Sequence, residues 1–453
     1  MSQNSKKNNS KMTRRKFMKV SASAIAAPLI LPSSLFGENA PSKRVNLAII
    51  GCGGRSEILV DYNFATFDDV RIVAAVDPFK YRRDNMAEKL NKRYGQKICK
   101  PFKDFRDVIN RDDVDGVIIA TPDHWHVPIA LGAAQAGKDM YVEKPLSVAM
   151  EWSWRLREIC KKSDLIFQYG TQQRSMESAR RAIELVRNKY IGDIKRIDVW
   201  SPHLEEELDG DATEKPIPEG FDYDLFTGPS EKKPYTPDRC TEDGSWHCYE
   251  HALGFIAGWG VHPLDICQWG LVTDDTSPIH YEGTGVMPSK KSLWNTTRRW
   301  DIQCTYANGI KMHFMDKKTA EPIVKSYHRA FKEDGTTFHG TEGWVSYSRG
   351  FCYLVQNGKW ISTSLKMKLK DSDKRVYEST NQMRNFVDCM KTRKQTINPL
   401  EPAIRVDTIS HLADIVVRTG KSVQWDPDKE KIIGATPQQT KYLDRKMRAP
   451  YIF

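Results

Sequence analysis

From Arg44 to Asp77 the chain reads as apolar strand, glycine turn, helix, apolar strand and acid, the order that opens a parallel α/β layer. Val45-Asn46-Leu47-Ala48-Ile49-Ile50 is an almost unbroken apolar run, as a strand covered on both faces requires. Gly51-Cys52-Gly53-Gly54-Arg55-Ser56 follows, then the helical Glu57-Ile58-Leu59-Val60-Asp61. Glycine at 51 allows the tight turn, and glycine at 53 lets backbone amides approach a diphosphate seated on the helix N-terminus; Gly54 and Arg55 continue that cradle. Ser56 occupies the place of the third glycine. A glycine turn alone is weak evidence, so the second strand decides. Val70 to Val76 ends at Asp77, twenty-six residues beyond Gly51. An acid there accepts hydrogen bonds from ribose hydroxyls and repels a 2′-phosphate, which favours NAD over NADP. Arg82 and Arg83 keep NADP open, because they could neutralise such a phosphate or simply form the solvated face of a helix that carries Met86, Ala87 and Leu90.

A third strand, Asp115 to Ala120, runs into Thr121-Pro122-Asp123-His124-Trp125-His126, and a helix over 127–136 leads to Met140-Tyr141-Val142-Glu143-Lys144-Pro145. In the order and spacing of these pieces the chain resembles the glucose-fructose oxidoreductase and inositol dehydrogenase (Gfo/Idh/MocA) family. The resemblance covers nearly all of residues 44–430. It implies an N-terminal Rossmann domain, a doubly wound parallel sheet, followed by an α+β domain with a large open, mostly antiparallel sheet. It also implies that Thr121, Pro122, Trp125, His126 and Glu143 line the cofactor, and that Lys144 reaches both the nicotinamide ribose and a substrate hydroxyl. Read from the residues alone, Lys144 is a lysine at the carboxyl end of a parallel strand, where open α/β sheets bind ligands. His124 and His126 have a spacing that could suit a metal, but no third ligand stands nearby, and no metal is expected.

The domains expected are a signal segment over 1–40, the NAD-binding domain over 41–165, and a substrate and oligomerisation domain over 166–453 that includes C-terminal helices. At the start of the last, Gln172, Gln173 and Arg174 follow a strand and suit sugar hydroxyls as well as a helix start. A long proline-rich stretch from Tyr223 to Cys240 then leads to Trp246-His247-Cys248-Tyr249-Glu250; long loops of this kind are usually functional, and His247 and Tyr249 are candidate substrate contacts. Gly258-Trp259-Gly260-Val261-His262-Pro263-Leu264-Asp265 resembles the family's second signature. His262 fits its histidine and Asp265, a further candidate substrate contact, its following acid, while Gly258 stands where the family usually has Asp. The resemblance makes His262 the general base and Lys144 its catalytic partner, with Glu250 or a water orienting the imidazole. Further on, Trp300 to Tyr306 and Ile310 to Phe314, joined by Ala307-Asn308-Gly309, read as a hairpin. Strands are expected at 341–345 and 351–355, and helices at 383–390 and 403–418.

Ahead of all this stands Thr13-Arg14-Arg15-Lys16-Phe17-Met18-Lys19 and a twelve-residue apolar stretch from Val20 to Leu31, which read together as a twin-arginine export signal. A spanning helix needs about 20 apolar residues, so stable membrane insertion is not expected. The twin-arginine translocase carries folded proteins, which suits a chain that acquires its dinucleotide in the cytoplasm and works in the periplasm. Residues 1–40 hold seven Lys or Arg and one Glu, so the remainder carries +5 rather than the formal +11 of the whole. That modest excess, without an arginine-rich stripe, excludes a nucleic-acid partner. Nine cysteines with no C-x-x-C pair give no metal or redox motif and no assignable disulfide. The function expected is an exported NAD(P)-dependent oxidoreductase acting on a sugar or glycoside hydroxyl, giving a 3-keto glycoside with tightly held cofactor. Two alternatives stand beside it: an NAD-dependent glycosidase using transient C3 oxidation and elimination, and a non-catalytic sugar sensor. A homo-oligomer is expected from the resemblance.

Overall fold

The computed structural model describes residues 44–363 and 369–453. The export segment expected over 1–40 lies outside them. Two sheets carry the fold. The first takes β1 (Val45–Ile50), β2 (Val70–Val76), β3 (Lys100–Phe102), β4 (Gly116–Ile119), β5 (Asp139–Val142) and β6 (Phe167–Tyr169) in the order β3-β2-β1-β4-β5-β6. Every pair in it is parallel. The order reverses between β1 and β4, and the crevice above that switch is where such sheets hold nucleotides. Apolar residues cover both faces, Leu47, Ile49, Ile72 and Ile118 on one and Ala48, Ala74, Val117 and Ile119 on the other.

The second sheet has ten strands. In chain order they are β7 (Ile194–Ser201), β8 (His280–Val286), β9 (Arg299–Thr305), β10 (Lys311–Asp316), β11 (Gly335–Gly340), β12 (Gly343–Ser348), β13 (Phe351–Gln356), β14 (Lys359–Ile361), β15 (Val423–Asp426) and β16 (Lys431–Ile433). The spatial order is β14-β13-β12-β11-β7-β10-β9-β8-β15-β16, antiparallel except for β7 beside β10. The expected hairpin forms as β9 and β10, with Thr305 opposite Lys311 and Gly309 at φ +82° in the turn. The strand expected at 341–345 runs instead over Gly343–Ser348 as β12, because Thr341 and Glu342 form the turn that joins it to β11. One face of this sheet is packed by the helices Glu177–Arg187, Val261–Leu271 and Leu400–Thr419.

Two features depart from a simple division of the chain at 165. β6 pairs with β5, Met140 opposite Phe167 and Val142 opposite Tyr169, so the parallel layer closes only at 169. The helix Gln382–Thr392 then returns to that layer, where Phe386 meets Phe64 and Tyr141 edge-on. Helix Leu400–Thr419 joins the halves. Seventeen of its 20 residues are buried, with Ala403 and Ile404 in the core of the first layer and Ile409 to Val417 in that of the second.

Midway along this helix, Asp407 accepts hydrogen bonds from the backbone N–H of Leu146 (3.3 Å) and Ser147 (3.1 Å), just past Lys144. Its carboxylate is buried, so these amides have no water to turn to. Asp407→Ala is expected to lower the unfolding free energy by about 2–5 kcal/mol, since two buried donors lose their acceptor. Urea titration of both proteins measures it; a loss below about 1 kcal/mol would show that the amides find another acceptor.

Candidate active site

β1 ends against β4. Gly51 has φ +88°, and a Cβ there would lie 2.5 Å from the Ala120 carbonyl oxygen. At Gly53 a Cβ would meet nothing closer than Arg82, at 3.6 Å, so the backbone of the turn stands open to an incoming group. Gly54 opens the helix Gly54–Asp61, and Ser56, in the third glycine's place, turns its hydroxyl back to Gly53 O (2.6 Å). Asp77 lies at the edge of a cavity of about 250 Å³ that Gly51, Arg82, Thr121, Pro122 and Trp125 also line. Its carboxylate accepts from Cys52 N–H (2.9 Å) and Phe79 N–H (2.8 Å), and these bonds fix its orientation. Of the two arginines downstream, Arg83 donates to the Asp77 carbonyl (3.0 Å), while Arg82 borders the cavity. Trp125 closes the far side, its indole N–H shared by Leu225 O and Phe226 O at 3.0 Å.

At Thr121 this cavity meets a second of about 330 Å³. Lys144, just after β5, projects into it from one wall, His262 from the helix Val261–Leu271 opposite. The ammonium donates to Gly258 O (2.7 Å) and lies 5.2 Å from the Trp246 ring centre and 5.9 Å from that of Trp259. Where the family usually has Asp, position 258 therefore contributes its carbonyl, and a Cβ there would meet nothing within 4 Å. Burial, with Lys144, Arg349 and Arg55 nearby, holds the His262 pKa well below the usual imidazole value, so the ring is neutral. Its Nδ1 has no partner. Asp123 lines the same cavity, 3% exposed, with Oδ2 unpartnered. Burial pushes its pKa up, Lys144 opposes this and Asp407 adds to it; burial likewise pulls Lys144 down. A carboxyl pushed toward its protonated form thus shares the cavity with a weakened ammonium and a neutral imidazole. Such a set moves protons near neutral pH.

Two models of one oxidoreductase family match the chain, its NAD-binding Rossmann fold over residues 45–171 and its C-terminal alpha/beta domain over residues 207–330 and 352–453. The chain belongs to this family. In sequence it is similar to an alpha-N-acetylgalactosaminidase of Shewanella oneidensis, 31% identical over 153 residues that make up 32% of each chain. It is also similar to a glycosyl hydrolase family 109 protein of a Shewanella species, 34% identical over 168 residues, 32% of this chain and 36% of that one. The matches thus span about a third of these curated relatives. Two solved structures share the fold at a TM-score of 0.60 and cover 84% of this chain and 99% of theirs: aldose-aldose oxidoreductase from Caulobacter crescentus (16% identical) and the WlbA dehydrogenase from Bordetella pertussis (13%).

The residues fit the family's NAD. The Gly51–Gly53 cradle is open, the Asp77 carboxylate lines the same cavity and would take the ribose hydroxyls, and Thr121, which lines both cavities, has its Oγ1 buried without a partner among the described residues. Arg55 reaches across from the glycine loop to Glu143 (2.7 Å), tying the cradle to the strand that ends in Lys144. His126 is clamped between Pro145 O (2.6 Å) and Thr121 O (2.9 Å).

Several expected substrate contacts fall elsewhere. Arg174 and Asp265 pair with one another (2.6 Å), and Asp265 also accepts from Thr171 (2.7 Å) and Asn398 (3.0 Å), so both are used up inside the core. Gln173 is buried and donates to Asp334 (3.0 Å); only Gln172 of that cluster lines the cavity. His247 is buried against Phe255, and Tyr249 lies between Arg418 and Arg445. Glu250 pairs with Arg239 and does not orient His262. In their stead the structure brings Asp123, Trp246, Trp259 and Arg349 to the cavity. Asp123 stands inside the Thr121–His126 motif and was open to sequence reading; Arg349 carries no local signal.

Because the folded chain raises the Asp123 pKa, it holds a proton that the unfolded chain releases above about pH 4, and stability falls as pH rises through neutrality. Asp123→Asn removes this contribution. Urea unfolding at about pH 5 and about pH 7.5 should show the wild type losing more stability between the two than the variant; equal losses would contradict a protonated Asp123.

Proposed function

We propose that this chain acts on a glycoside, oxidising one ring hydroxyl and using that oxidation transiently to break the glycosidic bond. One observation carries the reading: His262, Asp123 and Lys144 share a cavity that Gly54 and Arg55 of the dinucleotide cradle also line, where burial holds the imidazole pKa down and pushes the carboxyl pKa up. Oxidation of an alcohol alone needs a base. Elimination followed by water addition needs a base and an acid together, and His262 and Asp123 supply both. The names of the Shewanella relatives support the same reaction class, and the Trp246 and Trp259 rings suit a sugar face.

Bound NAD would accept a hydride from the ring carbon and later return it. His262 takes the hydroxyl proton, and Lys144 donates to the oxygen as negative charge gathers there. With C3 as a ketone, the C2 proton is acidic; His262, once it has passed the hydroxyl proton to solvent, takes it, and the C–H electron pair expels the aglycone from C1 while Asp123 gives the departing oxygen a proton. Water then adds across C1 and C2, and reduction at C3 restores the hydroxyl. The balance is one glycoside and one water giving a free sugar and a free aglycone, with no net redox change.

Protein purified without added cofactor, with its bound nucleotide identified by mass spectrometry, is assayed on aryl glycosides in deuterated water. Freed aglycone, deuterium at C2 and no net cofactor reduction are expected, and Lys144→Met should cut turnover by about 10²–10⁴-fold. Ketosugar formed in step with cofactor reduction would select a plain dehydrogenase instead. The reading includes export to the periplasm, supported by Arg14-Arg15 and the short apolar stretch that follows. Cell fractionation tests it: the wild type is expected in the periplasm and the Arg14→Lys, Arg15→Lys double variant in the cytoplasm, whereas equal partitioning would reject it.

A further inference from the structure

We infer that Arg349 reads an oxyanion on the substrate, so that the glycoside accepted here bears a carboxylate or a sulfate ester. The inference rests on the site proposed above and names its substrate class. Arg349 stands in the turn between β12 and β13, followed by Gly350 at φ +83°, and its side chain lines the cavity that holds Lys144 and His262. Its Nε and Nη2 are buried and have no hydrogen-bond partner. They are the two adjacent donors along one edge of the guanidinium, the edge that grips two oxygens of one anion at once.

The contrast with Arg55 is direct. Arg55 borders the same cavity and gives its donors to Glu143, at 2.9 Å from Nε and 2.7 Å from Nη2. Asp334, whose carboxyl feels the Arg349 charge, takes its hydrogen bond from Gln173 and, among the described residues, forms no ion pair with Arg349. Leaving a buried charged donor bare is costly, and substrate is the group available to remove that cost. The guanidinium is also held in place before any ligand arrives, with its carbon 5.3 Å from the centre of the Trp259 ring. Glu143 is spent on Arg55 and burial pushes Asp123 toward its protonated form, so Lys144 and Arg349 favour an anion in the cavity. An amide carbonyl or a hydroxyl would satisfy one donor of the pair; a carboxylate or sulfate satisfies both.

The nucleotide-loaded protein is tested by calorimetric titration with glucuronate, galacturonate and glucose 6-sulfate against glucose and galactose, and by turnover of the matching aryl glycosides in both anomers. The anionic sugars are expected to bind about 10–100-fold more tightly than the neutral ones, and comparison of uronates with the sulfate identifies the anion. Arg349→Met should abolish that preference while mass spectrometry still finds the bound nucleotide, and Arg349→Lys should restore part of it. Equal binding of neutral and anionic sugars by the wild type would overturn the inference, as would loss of nucleotide from Arg349→Met, which would make the cofactor's phosphates the oxyanion. Anion-selective binding without cleavage of any glycoside would reject the proposed reaction and leave Arg349's role standing; cleavage of neutral glycosides without anion preference would do the reverse.

Discussion

A half-buried lysine organises this site. Lys144 has one hydrogen-bond acceptor, the Gly258 carbonyl, and two indole faces nearby, so its charge is held without a full counter-ion. In a medium of low polarity each ionisable neighbour feels that charge strongly. Burial first, and the positive charges of Lys144, Arg349 and Arg55 after it, hold the His262 pKa well down, while burial pushes the Asp123 pKa up against the pull of the ammonium. The proton-handling states of three residues therefore follow from a single physical fact, desolvation, and opening the cavity to water would reset all three together.

The fold exists to hold that cavity closed from both sides. The parallel layer delivers Lys144, Asp123 and Thr121 from the carboxyl ends of its strands, and the second layer delivers His262 and Arg349 from a helix and a strand turn. The helix Leu400–Thr419 belongs to both cores and ties the two by its own rigidity. Asp407 on that helix has two duties: it accepts the amides just after Lys144, and its charge adds to the upward shift of Asp123. The Arg55–Glu143 pair links the dinucleotide cradle to the same strand end. Support and chemistry therefore share residues.

Much of the first layer could be read along the chain. The glycine turn, the acid after the second strand and the Thr-Pro and Glu-Lys-Pro segments each depend on neighbours in sequence, because a βαβ unit repeats the same local geometry at every strand end. Position 258 was legible as a departure, and the structure supplies its meaning: a backbone carbonyl does part of what the missing acid would do. The polar cluster at 172–174 and Asp265 were visible as polar residues near a strand end and a helix start. Whether they face a ligand or each other depends on packing between residues nearly a hundred positions apart, and Arg174 and Asp265 chose each other.

By itself the sequence determined the order of layers and the dinucleotide cradle, and it singled out Lys144 and His262, which the structure brings to one cavity; these rest on short-range patterns and on a resemblance carried by motifs. Only the tertiary structure decided that Asp123 is buried in the cavity beside Lys144 and His262, that helix Gln382–Thr392 returns to the first layer, and that Arg349 reaches the cavity with an unused edge. Each of those depends on what is buried beside what. Burial is a property of the closed volume between the layers, and it has no counterpart in the linear chain.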